Sequence, residues 1–157
     1  MATLTVTVPE QSQNIEGVIR LNAPLEKVFE AHINSDLLKQ WWGRGHEIVI
    51  HAFDARDGGS WHITEKAPDG NEYGFRGSYH EVAQNERIVW TFEFLGMPER
   101  GHVAIEKMEF TKIDDHTTEI RTVSTYQSVA DRDGMVQSGM EGGWRESIEA
   151  LGRVVEK

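Results

Sequence analysis

Between Glu47 and Tyr126 the chain runs through six segments with alternating apolar and polar residues, each divided from the next by a few turn formers. They are Glu47 to Phe53, Ser60 to Glu65, Glu72 to Val82, Arg87 to Phe94, Val103 to Ile113 and Thr118 to Tyr126. Such short connections leave no room for crossover helices, so successive strands must pair antiparallel as a meander. Turn chemistry agrees at Asp57-Gly58-Gly59, at Ala67-Pro68-Asp69-Gly70 and in a tight hairpin at Asp114-Asp115-His116. Ahead of the meander, Ile15 to Leu21 predicts a further strand, and Thr3 to Val8 an extended edge segment that Pro9 breaks.

Helical periodicity is confined to two places. From Ala23 to Gly43, Pro24 suits an opening turn, and Leu25, Val28, Phe29, His32 and Ile33 share one face. Ser35 reads as the N-cap of a second short helix with Leu37, Leu38, Trp41 and Trp42 as its inner stripe, closed by a left-handed Gly43. At the C-terminus, Met135 to Val155 reads as one long helix whose stripe is Val136, Met140, Trp144, Ile148, Leu151 and Val155. Gly139, Gly142, Gly143 and Gly152 fall inside it, and each interior glycine costs about 0.5 to 1 kcal/mol relative to alanine. Either the backbone approaches a sheet closely there, or space is left for something else. Alternatively the helix proper begins near Gly139, with Asp131 to Ser138 a separate turn. With these helices beside the meander, the class is α+β, and residues 1–157 form a single domain without repeats or linkers.

Composition narrows the partners. The chain has no cysteine, which removes thiol chemistry and thiolate metal sites and fits a reducing cytoplasm. Its opening residues, Met1 to Gln13, lack the basic start and apolar core of a signal peptide, and no window approaches a membrane span. A net charge of -10 repels phosphate backbones and anionic lipid, so neither nucleic acid nor membrane is an expected partner. A homodimer is compatible with the sequence but not derivable from it.

One strand, two short helices, a six-strand meander and a C-terminal helix is the order of the helix-grip fold. Ala23-Pro24 with Val28-Phe29, Leu37-Leu38, Trp41-Trp42-Gly43, Pro68-Asp69-Gly70, Gly77 and Glu86-Arg87-Ile88 carry the resemblance. So does Asp131-Arg132-Asp133-Gly134-Met135, running into Ser138-Gly139-Met140-Glu141. On these residues the chain, from Thr3 onward, resembles the SRPBCC (START and Bet v 1-like) superfamily, in the branch named after the activator of the heat-shock protein 90 ATPase. The resemblance implies a curved antiparallel sheet gripping the C-terminal helix, with an apolar, aromatic-lined cavity between them. It does not fix a function, because one fold hosts many.

The residues fit that expectation. Ile88, Trp90, Phe92 and Phe94 share one strand face, Trp61 and Ile63 another, and Tyr73, Phe75 and Tyr79 a third. An aromatic face is usually plain core, yet together these suggest a pocket of Trp41, Trp42, Trp61, Phe75, Trp90, Phe92, Glu106, Met108, Phe110, Met140 and Trp144. Glu106 is the candidate anchor or acid-base group if it shares a face with Met108 and Phe110. Val103 and Ile105 argue for the opposite face at the start of that strand, a conflict that a bulge would resolve.

Other chemistry is rejected. The seven histidines form no HExxH or HxH pattern; His62 and His80 are cross-strand candidates without a third donor, and His32 on an apolar stripe reads as a core residue. Gly58-Gly59-Ser60-Trp61 is not a nucleophile elbow, Gly43-Arg44-Gly45 is too short for a phosphate loop, and Asp131 and Asp133 read as helix-capping charges. The expectation is therefore a small intracellular protein that binds a hydrophobic small molecule without metal or cofactor. A cavity enzyme of cyclase or dehydratase type, using Glu106 or a pocket histidine, is the alternative. A cochaperone contact module is a third, suggested only by the family name; the chaperone activator uses an additional N-terminal domain for which this chain has no room.

Overall fold

A computed structural model describes residues Met1–Lys157. Two strands, β1 (Thr3–Thr7) and β2 (Asn14–Leu21), precede the helices α1 (Leu25–Ile33) and α2 (Ser35–Leu38). The meander follows as β3 (Glu47–Phe53), β4 (Ser60–Lys66), β5 (Glu72–Ala83), β6 (Arg87–Phe94), β7 (Val103–Asp114) and β8 (Thr117–Thr125). Two helices, α3 (Val129–Gln137) and α4 (Met140–Val155), end the chain. All eight strands make one open antiparallel sheet in the order β1-β2-β8-β7-β6-β5-β4-β3, the α+β helix-grip architecture.

That order explains the early helices. β2 pairs with β8 from Asn14 opposite Thr125 to Leu21 opposite Thr118, while β3 lies at the far edge. The chain must cross the sheet between β2 and β3, and α1 and α2 make that crossing over its inner face. Burial of Val28, Phe29, Ala31 and His32 on α1, and of Ile148, Leu151 and Val155 on α4, seals the core against Ile19, Leu21, Ile63 and Ile120. No helix is long and apolar enough to cross a membrane.

Three local readings need correction. The cap of α2 is Asn34 rather than Ser35: its Oδ1 accepts from the backbone N–H of Asp36 at 2.9 Å and of Leu37 at 3.2 Å, satisfying two donors that a helix start leaves open. α2 also ends at Leu38, so Trp41 and Trp42 sit in the turn beyond it, ahead of a 3-10 turn at Gly43–Gly45. Third, the C-terminal helix is two helices. Gly139 takes φ 83°, a left-handed value that breaks the hydrogen-bond ladder, and the segment before it is helical rather than a turn. Val136 consequently leaves the buried stripe and is 40% exposed.

Both alternatives for the helix glycines occur: a Cβ at buried Gly152 would stand 2.9 Å from Ala2 Cβ, whereas Gly139 and Gly143 border open space. Gly142 is exposed, and a Cβ there would touch nothing. On the sheet side, Gly17 of β2 gives room to α4, whose Trp144 ring lies over it.

Candidate functional site

The inner face of the sheet and α4 enclose a cavity of about 750 Å³, with Trp41 to Arg44 and α3 completing its wall. Of its 35 lining residues 21 are hydrophobic, so an occupant would be held mainly by apolar contact. Period two puts Trp90 and Phe92 of β6, Phe75 of β5 and Glu106 and Met108 of β7 on this wall. Trp41, Trp42, Met140 and Trp144 join them from the helical side.

Trp61 and Phe110 share the same sheet face but are not on the wall. Trp61 stacks on Trp90 with ring centroids 4.3 Å apart, is covered by Trp42, and donates its indole N–H to the Thr91 carbonyl at 3.2 Å. Phe110 lies under α1, 4.9 Å from Phe29 and 5.0 Å from His32. Alternation fixes which face a side chain occupies, whereas the crossing helices decide which part of that face stays open.

β7 needs no bulge to turn Glu106 inward. Its pairing with β6 is continuous from Val103 to Glu109, and Ile105 simply faces out, 55% exposed. Trp90, Glu106 and Ser124 form one cross-strand row. The Trp90 indole N–H donates to Glu106 Oε1 at 2.7 Å and the Ser124 hydroxyl to Oε2 at 2.8 Å. Glu106 keeps some accessible surface, but that surface opens onto the cavity beneath surrounding protein. Loss of bulk water pushes the carboxyl above its ordinary value, and the two hydrogen bonds oppose this only in part. Burial and the nearby Glu106 likewise push the Tyr126 phenol up.

His32, Tyr79, Thr122 and Arg44 add further polar groups to the wall. The Val28 carbonyl stands 2.8 Å from His32 Nδ1, so that nitrogen carries the proton and Nε2 keeps its lone pair. Burial holds the His32 pKa down at about 4. Tyr79 and Thr122 each bury a side-chain oxygen without a hydrogen-bond partner. Arg44 is the wall's one guanidinium, and it donates to Glu65 Oε2 from Nε at 3.2 Å and from Nη2 at 3.0 Å. The same oxygen stands 2.8 Å from His46 Nδ1.

Lining residues that are also exposed, Met97, Ala130, Gly134, Ser138 and Gly139, put the cavity's opening between the β6–β7 connection and α3. Here His102 Nδ1 stands 3.1 Å from both carboxylate oxygens of Asp131, which raises the imidazole pKa. Sequence reasoning missed this pair, since 29 residues separate its members. Asp131 does sit in the first turn of α3, where its charge suits the helix start, and the N-cap itself is Ser128, whose hydroxyl accepts from the Asp131 N–H at 3.0 Å. Asp133 pairs instead with Arg132. On the outer face the His62 ring lies against that of His51 with centroids 4.5 Å apart and planes 41° apart, and not against His80, because β4 ends before reaching it.

Solved structures share this architecture. Protein Ms6760 from Mycobacterium smegmatis superposes with a TM-score of 0.87 at 19% identity, covering 98% of this chain and 96% of that one. A protein from Arthrobacter aurescens gives 0.87 at 19% identity, covering 96% and 90%, and CV1439 from Chromobacterium violaceum gives 0.77 at 25%, covering 92% and 98%. Among curated proteins none matches this sequence. A sequence profile described as "Activator of Hsp90 ATPase homolog 1-like protein" matches residues 22–156, spanning both the crossing helices and the cavity wall, and the chain therefore belongs to that family.

Proposed function

We propose that this protein binds a mostly apolar small molecule in the cavity between the sheet and α4. The observation that carries the reading is a space of about 750 Å³ with a largely apolar wall and one deeply placed carboxyl, Glu106. Dense packing is the rule in a protein interior, so a chain without an occupant would gain by closing such a space. The residues proposed to touch the molecule are the nine on the wall, from Trp41 and Trp42 through Glu106 to Trp144. A cytoplasmic location belongs to the same proposal, supported by the cysteine-free sequence.

Native mass spectrometry of the purified protein, before and after denaturation, tests the reading together with titration by the neutral probe N-phenyl-naphthylamine. A small-molecule adduct released on unfolding, or saturable probe binding at one site, is the expected result. Absence of both overturns it.

Glu106 also favours a second reading. A carboxyl whose pKa burial raises, set beside an apolar cavity, is placed to pass a proton to a bound ketone or enol. Turnover of a carbonyl compound that vanishes in Glu106→Gln while affinity survives would select catalysis over carriage.

A further inference from the structure

We propose that the cavity is shaped for an uncharged ligand with an oxygen function set against Glu106, and that it excludes carboxylates of equal size. This rests on the ligand-binding reading above and adds the class of ligand.

Two observations converge on it. First, no positive charge is free to meet an anion. Arg44 is committed to Glu65, His102 stands between Asp131 and Glu99, and no lysine lines the wall. Second, Glu106 has only Trp90 and Ser124 as partners, and burial favours its neutral form. A ligand carboxylate beside it would add a second desolvated acid with nothing to balance either. A ketone or hydroxyl oxygen can instead take the carboxyl proton.

The test uses three compounds on one ring system: a hydroxynaphthyl methyl ketone, the corresponding hydroxynaphthoate and the corresponding hydroxynaphthylmethylamine. At pH 7 the ketone is expected to bind at least about tenfold more tightly than the naphthoate. Glu106→Gln should shrink that gap severalfold by improving the naphthoate, since its amide can still donate to the ketone. If Glu106→Gln fails to fold, the order of ketone, naphthoate and amine on the parent protein decides the matter. A naphthoate equal to the ketone, or an amine tighter than both, would overturn the inference while leaving a binding cavity intact. If no compound of the series binds and N-phenyl-naphthylamine fails as well, the binding reading itself falls.

Discussion

Gly17 in β2 lies directly beneath the indole ring of Trp144 in α4, so that a Cβ at position 17 would overlap that ring and stand 2.8 Å from Thr122 Oγ1. The missing side chain sets how closely the helix rides on the sheet. Gly17→Val keeps good strand propensity but overpacks this contact, and should destabilise the fold by about 1 to 3 kcal/mol. Urea unfolding checks the cause as well as the size. Adding Trp144→Ala to Gly17→Val should cost little more than Trp144→Ala alone, because the same overlap is relieved.

Glu106 predicts a pH signature. Its carboxyl titrates above the ordinary value of 4.5 in the folded protein, so just above pH 4.5 the unfolded chain releases a proton that the folded chain retains. The folded state then binds more protons, and stability falls as pH rises through the raised folded value. Glu106→Gln removes this slope. Unfolding of parent and variant across pH 4 to 8 should therefore give a difference that shifts in favour of the variant as pH increases.

His32 predicts the opposite slope. With its folded pKa near 4 against an ordinary 6.5, the unfolded chain binds the extra proton between these values, so stability rises with pH across that window. An NMR titration should show His32 unprotonated at pH 5.5, while its Nδ1 proton stays bonded to the Val28 carbonyl. Ordinary titration near 6.5 would mean that the ring leaves its place between Trp41 and Phe110.

How much was legible before the structure differs by element. Alternation alone gave the faces of Trp90, Phe92 and Phe75, because the pleat follows from the extended backbone of each strand by itself. The inward turn of Glu106 was harder, since Ile105 is an apolar residue on the solvent side. The break at Gly139 was readable only as one of two alternatives. The stripe of α4 extends by chance to Val136, and nothing local says that the glycine takes a positive φ. Coverage of Trp61 and Phe110, the His102–Asp131 pair and the space at Gly17 depend on elements distant in sequence, and no local pattern encodes them.

Gly143 offers a direct way to fill the cavity. It lies on the wall, and a Cβ there would meet only the flexible Arg44 side chain, at 3.3 Å from Cδ. Gly143→Leu should leave a cooperative melt and cut N-phenyl-naphthylamine affinity by at least about tenfold, as lost cavity volume removes apolar contact. Unchanged affinity would put the probe elsewhere.

Four of the five tryptophans line the cavity, so indole N–H signals in an NMR titration with N-phenyl-naphthylamine probe the central claim at the site itself. Binding between sheet and helix predicts that Trp90, held by Glu106, and Trp144, above Gly17, shift saturably with one shared midpoint, while His51 and His62 on the outer face stay still. Shifts confined to the outer face, or a Trp90 signal unmoved at saturation, would contradict it.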